Sequence, residues 1–337
     1  MGCFFCYTRG FPGNFRLWHD RGLITVSKDF PLKIARQLDS IRVASCGYLS
    51  PVTDPFQELE KHYHYSEKIV EIFVRRNIPI EVVTKCWIPD RVIHLLSLQP
   101  DSFAQVSILT LEEGKRKLLS PGGADTTSLL KNMERLKEAD IYTVARIDPV
   151  IPFVTDHKEE LLSLIRELRK RGASHVVTSV LDIPLNIQDF FWKNIRRFWG
   201  KGVEKKMKEL YQEKIGPYLH ADTGYRREIF SWLKERVTRE GMSFALCMEF
   251  EVKRGKVEGL NHTYMTTLNC EGKDIPIYIR KNNHFEPAYS CPGNCLNCKT
   301  PLCGIEDLAM GREGSKKDWK LKDYRRWSKI LYPCLPL

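Results

Sequence analysis

Two runs of cysteine stand out for what thiolates can do together. Cys291, Cys295, Cys298 and Cys303 fall within thirteen residues. Pro292, Gly293, Asn294 and Pro301 keep that run open, so four sulfurs can converge on one centre without long-range folding. Four thiolates suit a fully ligated iron–sulfur cluster, for electron relay or substrate ligation, or a structural zinc ion. Neither spacing nor composition separates iron from zinc. At the other end of the chain, Cys3-Phe-Phe-Cys6-Tyr7 repeats part of the pattern. Taken alone, that pair is a zinc half-site or two unligated thiols. The chain reads as a metalloprotein with two thiolate sites.

The segments between the two runs alternate in character. Apolar runs rich in β-branched residues recur at Leu23-Val26, Ile41-Cys46, Ile80-Thr84, Ala104-Leu109, Ile141-Ile147 and His175-Val180, each short enough for a buried parallel strand. Helical patterns separate them over Pro31 to Leu38, Ser66 to Arg75, Pro89 to Leu98, Thr126 to Ala139 and Asp156 to Lys170. Six strand–helix repeats predict βαβ units with right-handed crossovers, hence an α/β fold with a curved parallel sheet or partial barrel over residues 1–185. Functional groups then belong at the C-terminal ends of the strands. Residues 186–242 turn helical and mixed in charge, over Asn186 to Trp199, Val203 to Ile215 and Asp222 to Arg239. From Ser243 a strand-like segment, Phe244 to Met248, opens a third unit, 243–337, with the Cys-rich run and a basic tail.

With 337 residues, 42% of them hydrophobic, the chain can bury a sizeable core. No stretch of 18 apolar residues exists and the N-terminus lacks the pattern of a signal peptide, which predicts a cytoplasmic protein with no membrane partner. Cys6 stands where a myristoylation motif needs Ser or Thr. Eleven cysteines, odd in number and clustered, fit metal ligation in a reducing compartment better than a disulfide framework. The net charge of +11 points to a polyanionic partner such as nucleic acid. Two basic, aromatic segments are candidate surfaces, Phe190 to Lys201 and the tail from Lys316 to Lys329. At helical spacing Phe191, Ile195 and Phe198 share one face, so packing competes with base stacking in the first of them.

Cys3-x-x-Cys6-Tyr7 ahead of a six-fold βα series resembles the radical S-adenosylmethionine enzymes. Their signature is Cys-x3-Cys-x2-Cys with an aromatic residue before the last Cys, and Phe5 and Cys6 match it. Thr53-Asp54-Pro55-Phe56 with Glu58 and Glu60, Thr84-Lys85, Ser107 and Pro149-Val150-Ile151-Pro152 fall where the branch of spore photoproduct lyase and DNA repair photolyase-like proteins places similar motifs. The resemblance covers residues 1–184 and departs in two places. The family's first cluster ligand would lie four residues before Cys3. The expectation is a protein that begins upstream; the rival is another thiol, such as Cys46, completing the site. The second departure is Leu119-Ser120-Pro121-Gly122-Gly123, where the branch has a Glu before the Pro and an Arg beyond it.

The resemblance implies a partial (β/α)6 barrel of the radical type and a 4Fe-4S cluster held by Cys3, Cys6 and a third thiolate. It implies S-adenosylmethionine on the open iron, a one-electron donor such as ferredoxin or flavodoxin, and hydrogen abstraction from substrate by a 5′-deoxyadenosyl radical. Thr53, Asp54, Lys85, Ser107 and Arg146, at or after strand ends, are the candidates to bind S-adenosylmethionine, and Cys86 is a candidate hydrogen-atom donor. Plainer roles compete for each: Asp54 can cap a turn, Arg146 can pair with Asp148, and Cys86 can be a buried spectator. A photoproduct-lyase-like reaction on a nucleic-acid base is the leading expectation, with another macromolecule as the alternative substrate. The reading from a different class is a non-enzymatic zinc- or iron–sulfur-binding nucleic-acid protein.

Overall fold

The computed structural model describes residues 2–315, so the basic tail from Lys316 lies outside the described residues. Six strands run parallel in one sheet: β1 (Gly47–Leu49), β2 (Ile80–Thr84), β3 (Phe103–Ser107), β4 (Tyr142–Val150), β5 (His175–Val180) and β6 (Ser243–Leu246). They lie side by side in chain order, with Tyr48 beside Glu81, Ser107 beside Arg146, and Val177 between Arg146 and Ala245. Parallel neighbours need long crossovers, and helices supply them. These are α1 (Tyr65–Arg75), α2 (Asp90–Ser97), α3 (Thr126–Glu138) and α4 (Lys158–Lys170), with α5 (Gln188–Leu210) and α6 (Thr223–Arg239) both between β5 and β6. β1 and β6 are free edges, so the barrel is partial and open.

The strand series is shifted by one from the sequence expectation. Leu23–Val26 is not a strand, and Leu23, Ile24 and Val26 are exposed. Of Ile41–Cys46 only Val43–Ala44 pairs, antiparallel to Tyr278–Lys281 and outside the parallel sheet. The sixth strand is Ser243–Leu246, which pairs with β5 from beyond the expected barrel boundary at residue 185. β-Branched composition marks a segment fit for a pleated surface, whereas pairing depends on which partner edge the chain can reach. The helix expected over Val203–Ile215 is the second half of α5, which bends at Gly200 (φ 86°) and stops at Leu210. Glu213–Ile215 instead pairs with Tyr218–His220.

Period two divides the strands into two faces. Val82, Ala104, Val106, Ala145, Ile147, Val176 and Leu246 point outward into the core shared with the helices. On the concave face the N-terminal layer is also apolar. Phe103, Val144 and Val177 meet Leu38, Ile275, Tyr278 and Phe285, which plug that end. Residues 266–275 thread into the same end. Tyr142 Oη donates to the Gly272 carbonyl at 2.7 Å, and a Cβ on Gly272 (φ 77°) would come within 2.3 Å of the His175 ring, so that position requires glycine. No helix among the described residues is long and apolar enough to cross a membrane.

Asn132 of α3 fixes the loop that follows β2. It is fully buried; its Oδ1 accepts from the Ile88 amide at 3.1 Å and its Nδ2 donates to the Cys86 carbonyl at 2.9 Å. Asn132→Ala should leave both backbone groups unpaired and lower the unfolding free energy by about 2 kcal/mol or more, read from urea denaturation.

Candidate active site

The Cys3–Cys6 segment sits against the C-terminal ends of the strands as one closed turn. The Cys6 amide donates to the Cys3 carbonyl at 3.3 Å, and Arg9 Nε donates to the same oxygen at 3.2 Å. Cys3 is buried, its Sγ donating to Ser120 Oγ at 3.3 Å, and Cys6 Sγ lies 2.9 Å from Thr8 Oγ1. Burial pushes the Cys3 thiol up in pKa, while the charge of Lys85 and the Ser120 contact pull it back. The turn is held from outside by rings. Phe4 stacks on Phe191 at 5.7 Å and touches Phe198 and Trp199, and the Arg9 guanidinium lies 4.5 Å above Phe190. Part of the aromatic run of α5, namely Phe191, Phe198 and Trp199, therefore packs on the cysteine loop, while Phe190 is 42% exposed. Lys193, Arg196, Arg197 and Lys201 remain exposed.

Above the plug, the concave face is charged. Arg146 is buried, with Nη2 2.5 Å from Asp148 Oδ2 and 3.1 Å from Cys247 Sγ, and Nη1 2.7 Å from Gln105 Oε1. Gln105 Nε2 donates to Glu81 at 3.1 Å and also to Glu271, which arrives on the 266–275 loop. Ser179 donates to Asp148. Burial alone would raise Asp148, but Arg146 and Ser179 outweigh it and hold the carboxyl below its usual range. Burial and the neighbouring Glu271 push Glu81 up to about 8. Burial, then the charge of Asp148, push the Cys247 thiol up to about 12. The face thus offers a fixed ion pair, a protonated thiol and a carboxyl poised near neutrality in a water-poor setting.

The sequence candidates divide between this face and its rim. Lys85 lies close enough to Cys3 and Asp148 for its charge to act on both. Ser107 is 3% exposed and its Oγ has no hydrogen-bond partner. By strand period it shares the concave face with Gln105. Asp54 is a structural tie: its carboxylate accepts from the Phe56 amide, Thr84 Oγ1 and the Lys85 amide at 3.0, 2.8 and 2.6 Å. Thr53 is exposed and shares a hydrogen bond with Ser50. Cys86 packs in the apolar layer, where burial and the charge of Asp54 push its thiol up. Cys46 lies beside Glu81, Glu271 and Lys273 and does not join the Cys3–Cys6 turn. Beyond the Arg146–Asp148 pair, no sequence motif marks Glu81, Gln105, Ser179, Cys247 and Glu271 as members of one site. The available signal was polar residues at period two inside otherwise apolar strands.

An open six-stranded parallel sheet with a buried cysteine turn at its C-terminal rim is a fold this chain shares with spore photoproduct lyase, and in sequence the chain is similar to a radical SAM isomerase. Over its whole length it is 27% identical to a radical SAM Nα-GlyT isomerase of Pseudomonas phage M6, spanning 70% of that protein. In structure it is similar to a spore photoproduct lyase mutant with dinucleoside spore photoproduct, with a TM-score of 0.55 at 13% identity over 73% of each chain. A second mutant of that lyase, with bound AdoMet and the same dinucleoside, gives 0.55 at 12% identity over 72% of each chain. These two likenesses concern the fold. No family model matches.

These likenesses imply S-adenosylmethionine and a 4Fe-4S cluster, and the residues here supply part of what each would need. Cys3 and Cys6 supply two thiolates on one turn. The orphaned Ser107 hydroxyl is a buried polar group lacking the partner that such groups require. Among the described residues no three His, Cys, Asp or Glu side chains stand ready to share one metal ion, so a third cluster ligand is not found beside the pair.

Two outcomes test this geometry. Phe4→Ala should cost about 3 kcal/mol and speed the reaction of Cys3 with a thiol reagent, since the ring clamps a buried cysteine. For Glu81, unfolding releases a proton at any pH between its ordinary 4.5 and about 8. The folded state binds more protons across that window, so stability should fall as pH rises through it. Denaturation at several pH values should show Glu81→Gln flattening that slope by up to about 1.4 kcal/mol per pH unit.

Proposed function

We propose that this enzyme abstracts hydrogen from a nucleic-acid base and carries the substrate radical through a rearrangement or bond cleavage on the concave face. The observation that carries the reading is the charged, water-poor layer built by Glu81, Gln105, Arg146 and Asp148 directly inside the rim that holds Cys3 and Cys6. Bound together, the reduced cluster and S-adenosylmethionine supply one-electron cleavage of the sulfonium and a hydrogen-abstracting group. Lys85 and Ser107 orient the cofactor's polar groups. Arg146, fixed by Asp148, and the Glu81 carboxyl orient polar groups of the substrate, and the plug below them excludes water. The phage relative is named for isomerisation of Nα-GlyT and the structural neighbours hold a dinucleoside photoproduct, which supports a base as substrate. The net charge of +11 and the exposed basic side of α5 support nucleic acid as its carrier, with ferredoxin or flavodoxin as the class of electron donor.

Anaerobically reconstituted protein given a strong one-electron reductant and S-adenosylmethionine should release 5′-deoxyadenosine and methionine, and Cys6→Ala should abolish the release. Ser107→Ala and Lys85→Ala should retain iron yet raise the KM for S-adenosylmethionine about tenfold, as expected for lost hydrogen bonds to a bound ligand. Modified nucleic acid should accelerate turnover, while peptides and free nucleosides of unmodified base should not. Turnover indifferent to any nucleic acid would remove the base from the proposal.

A further inference from the structure

The C-terminal cysteines stand at the other end of the sheet from the reaction face. Cys291, Cys295 and Cys303 pack with Val43, Ile277, Ile279, Ile305 and Leu308. Val43 and Ile279 belong to the strand pair whose Tyr278 plugs the N-terminal end. The Cys3–Cys6 turn lies beside Lys85 and Ser120 at the C-terminal end. A five-residue strand separates the ends by on the order of 15 Å. A cluster there would not touch a substrate held at the opposite end.

The loop is nevertheless built to present sulfur. All four thiols are free, and Cys295 lies close enough to Cys291, Cys303 and Cys298 to feel their charges. The Gly293 amide donates to Cys291 Sγ at 3.4 Å. Glycine permits the close approaches. A Cβ on Gly293 (φ 79°) would meet the Ile275 carbonyl at 1.9 Å, and one on Gly311 would lie 2.5 Å from the Asn297 carbonyl. Met310 and Gly311 donate their amides to the carbonyls of Cys295 and Cys298 at 3.1 and 2.8 Å, closing the chain over that turn. The sulfurs do not yet form a ligand set. The outer side of the loop is open to solvent, with Leu296 and Leu302 more than 60% exposed.

We infer that Cys291, Cys295, Cys298 and Cys303 bind one tetrahedral zinc ion, and that this ion pins the Tyr278–Lys281 and His284–Pro287 hairpin against the plugged end of the sheet. A redox-inert ion at a remote, half-exposed position has a structural role, which four thiolates serve without an open coordination site.

Metal analysis of the full chain should find about one zinc per chain, falling below about a tenth in the Cys295→Ser/Cys298→Ser double variant, as for a four-thiolate structural site. Cys6→Ala should leave the zinc unchanged, which separates this site from the cluster site. If the double variant fails to fold, wild-type protein stripped and titrated with cobalt(II) should still show the intense visible bands of tetrahedral thiolate-bound cobalt. Iron with inorganic sulfide lost in the double variant would overturn the inference. So would a wild-type chain that holds no zinc and gives no such bands.

Discussion

A guanidinium buried on the concave face of a parallel sheet constrains everything around it. Arg146 is 6% exposed, and an unpaired charge there would cost several kcal/mol. Asp148 answers it from the same strand because two residues onward points to the same face. Gln105 answers from the neighbouring strand, then shares its amide with Glu81 from β2 and Glu271 from the 266–275 loop. Cys247, just past β6, completes the ring of partners. One cation thereby ties together β2, β3, β4, the end of β6 and a distant loop, and each attachment requires the sheet to be in its observed register.

The two ends of the sheet do different work for a common reason. Apolar side chains at the N-terminal layer exclude water from below, which strengthens every electrostatic interaction in the polar layer above. At the rim, the rings of α5 hold a cysteine turn that has little secondary structure of its own. The long helix thus explains two sequence features at once. Phe191, Phe198 and Trp199 face the cysteine turn, and its Lys and Arg residues face outward.

A second buried network repeats the principle beneath the β5–β6 connection. Arg226 is fully buried and bonded to Glu249 and Glu213 at 3.0 Å each, with the Ala221 and Phe250 carbonyls completing its shell. Burial and Asp182 push Glu249 up to about 8, so this carboxyl shares the pH window of Glu81. Both networks place ionisable groups where removing a single partner would strand a charge.

Much of the outline was legible in the chain alone. Strand–helix alternation announced a parallel α/β sheet because buried parallel strands and their crossover helices leave distinct periodicities. The Cys3–Cys6 spacing and the polar residues at strand ends marked the rim. Local pattern could not decide which apolar runs would pair: Leu23–Val26 has suitable composition but lies exposed and unpaired, while Ser243–Leu246 reaches β5 only after α5 and α6 have folded back. Nor could it separate Asp54, whose carboxylate is occupied by three local donors, from Ser107, whose hydroxyl is buried without one. Side-chain chemistry and periodicity are properties of neighbours in sequence, and the sequence determined those. The Arg146 network, the clamp on the cysteine turn and the placing of the two cysteine sites at opposite ends depend on contacts across a hundred residues or more, which only the tertiary structure decided.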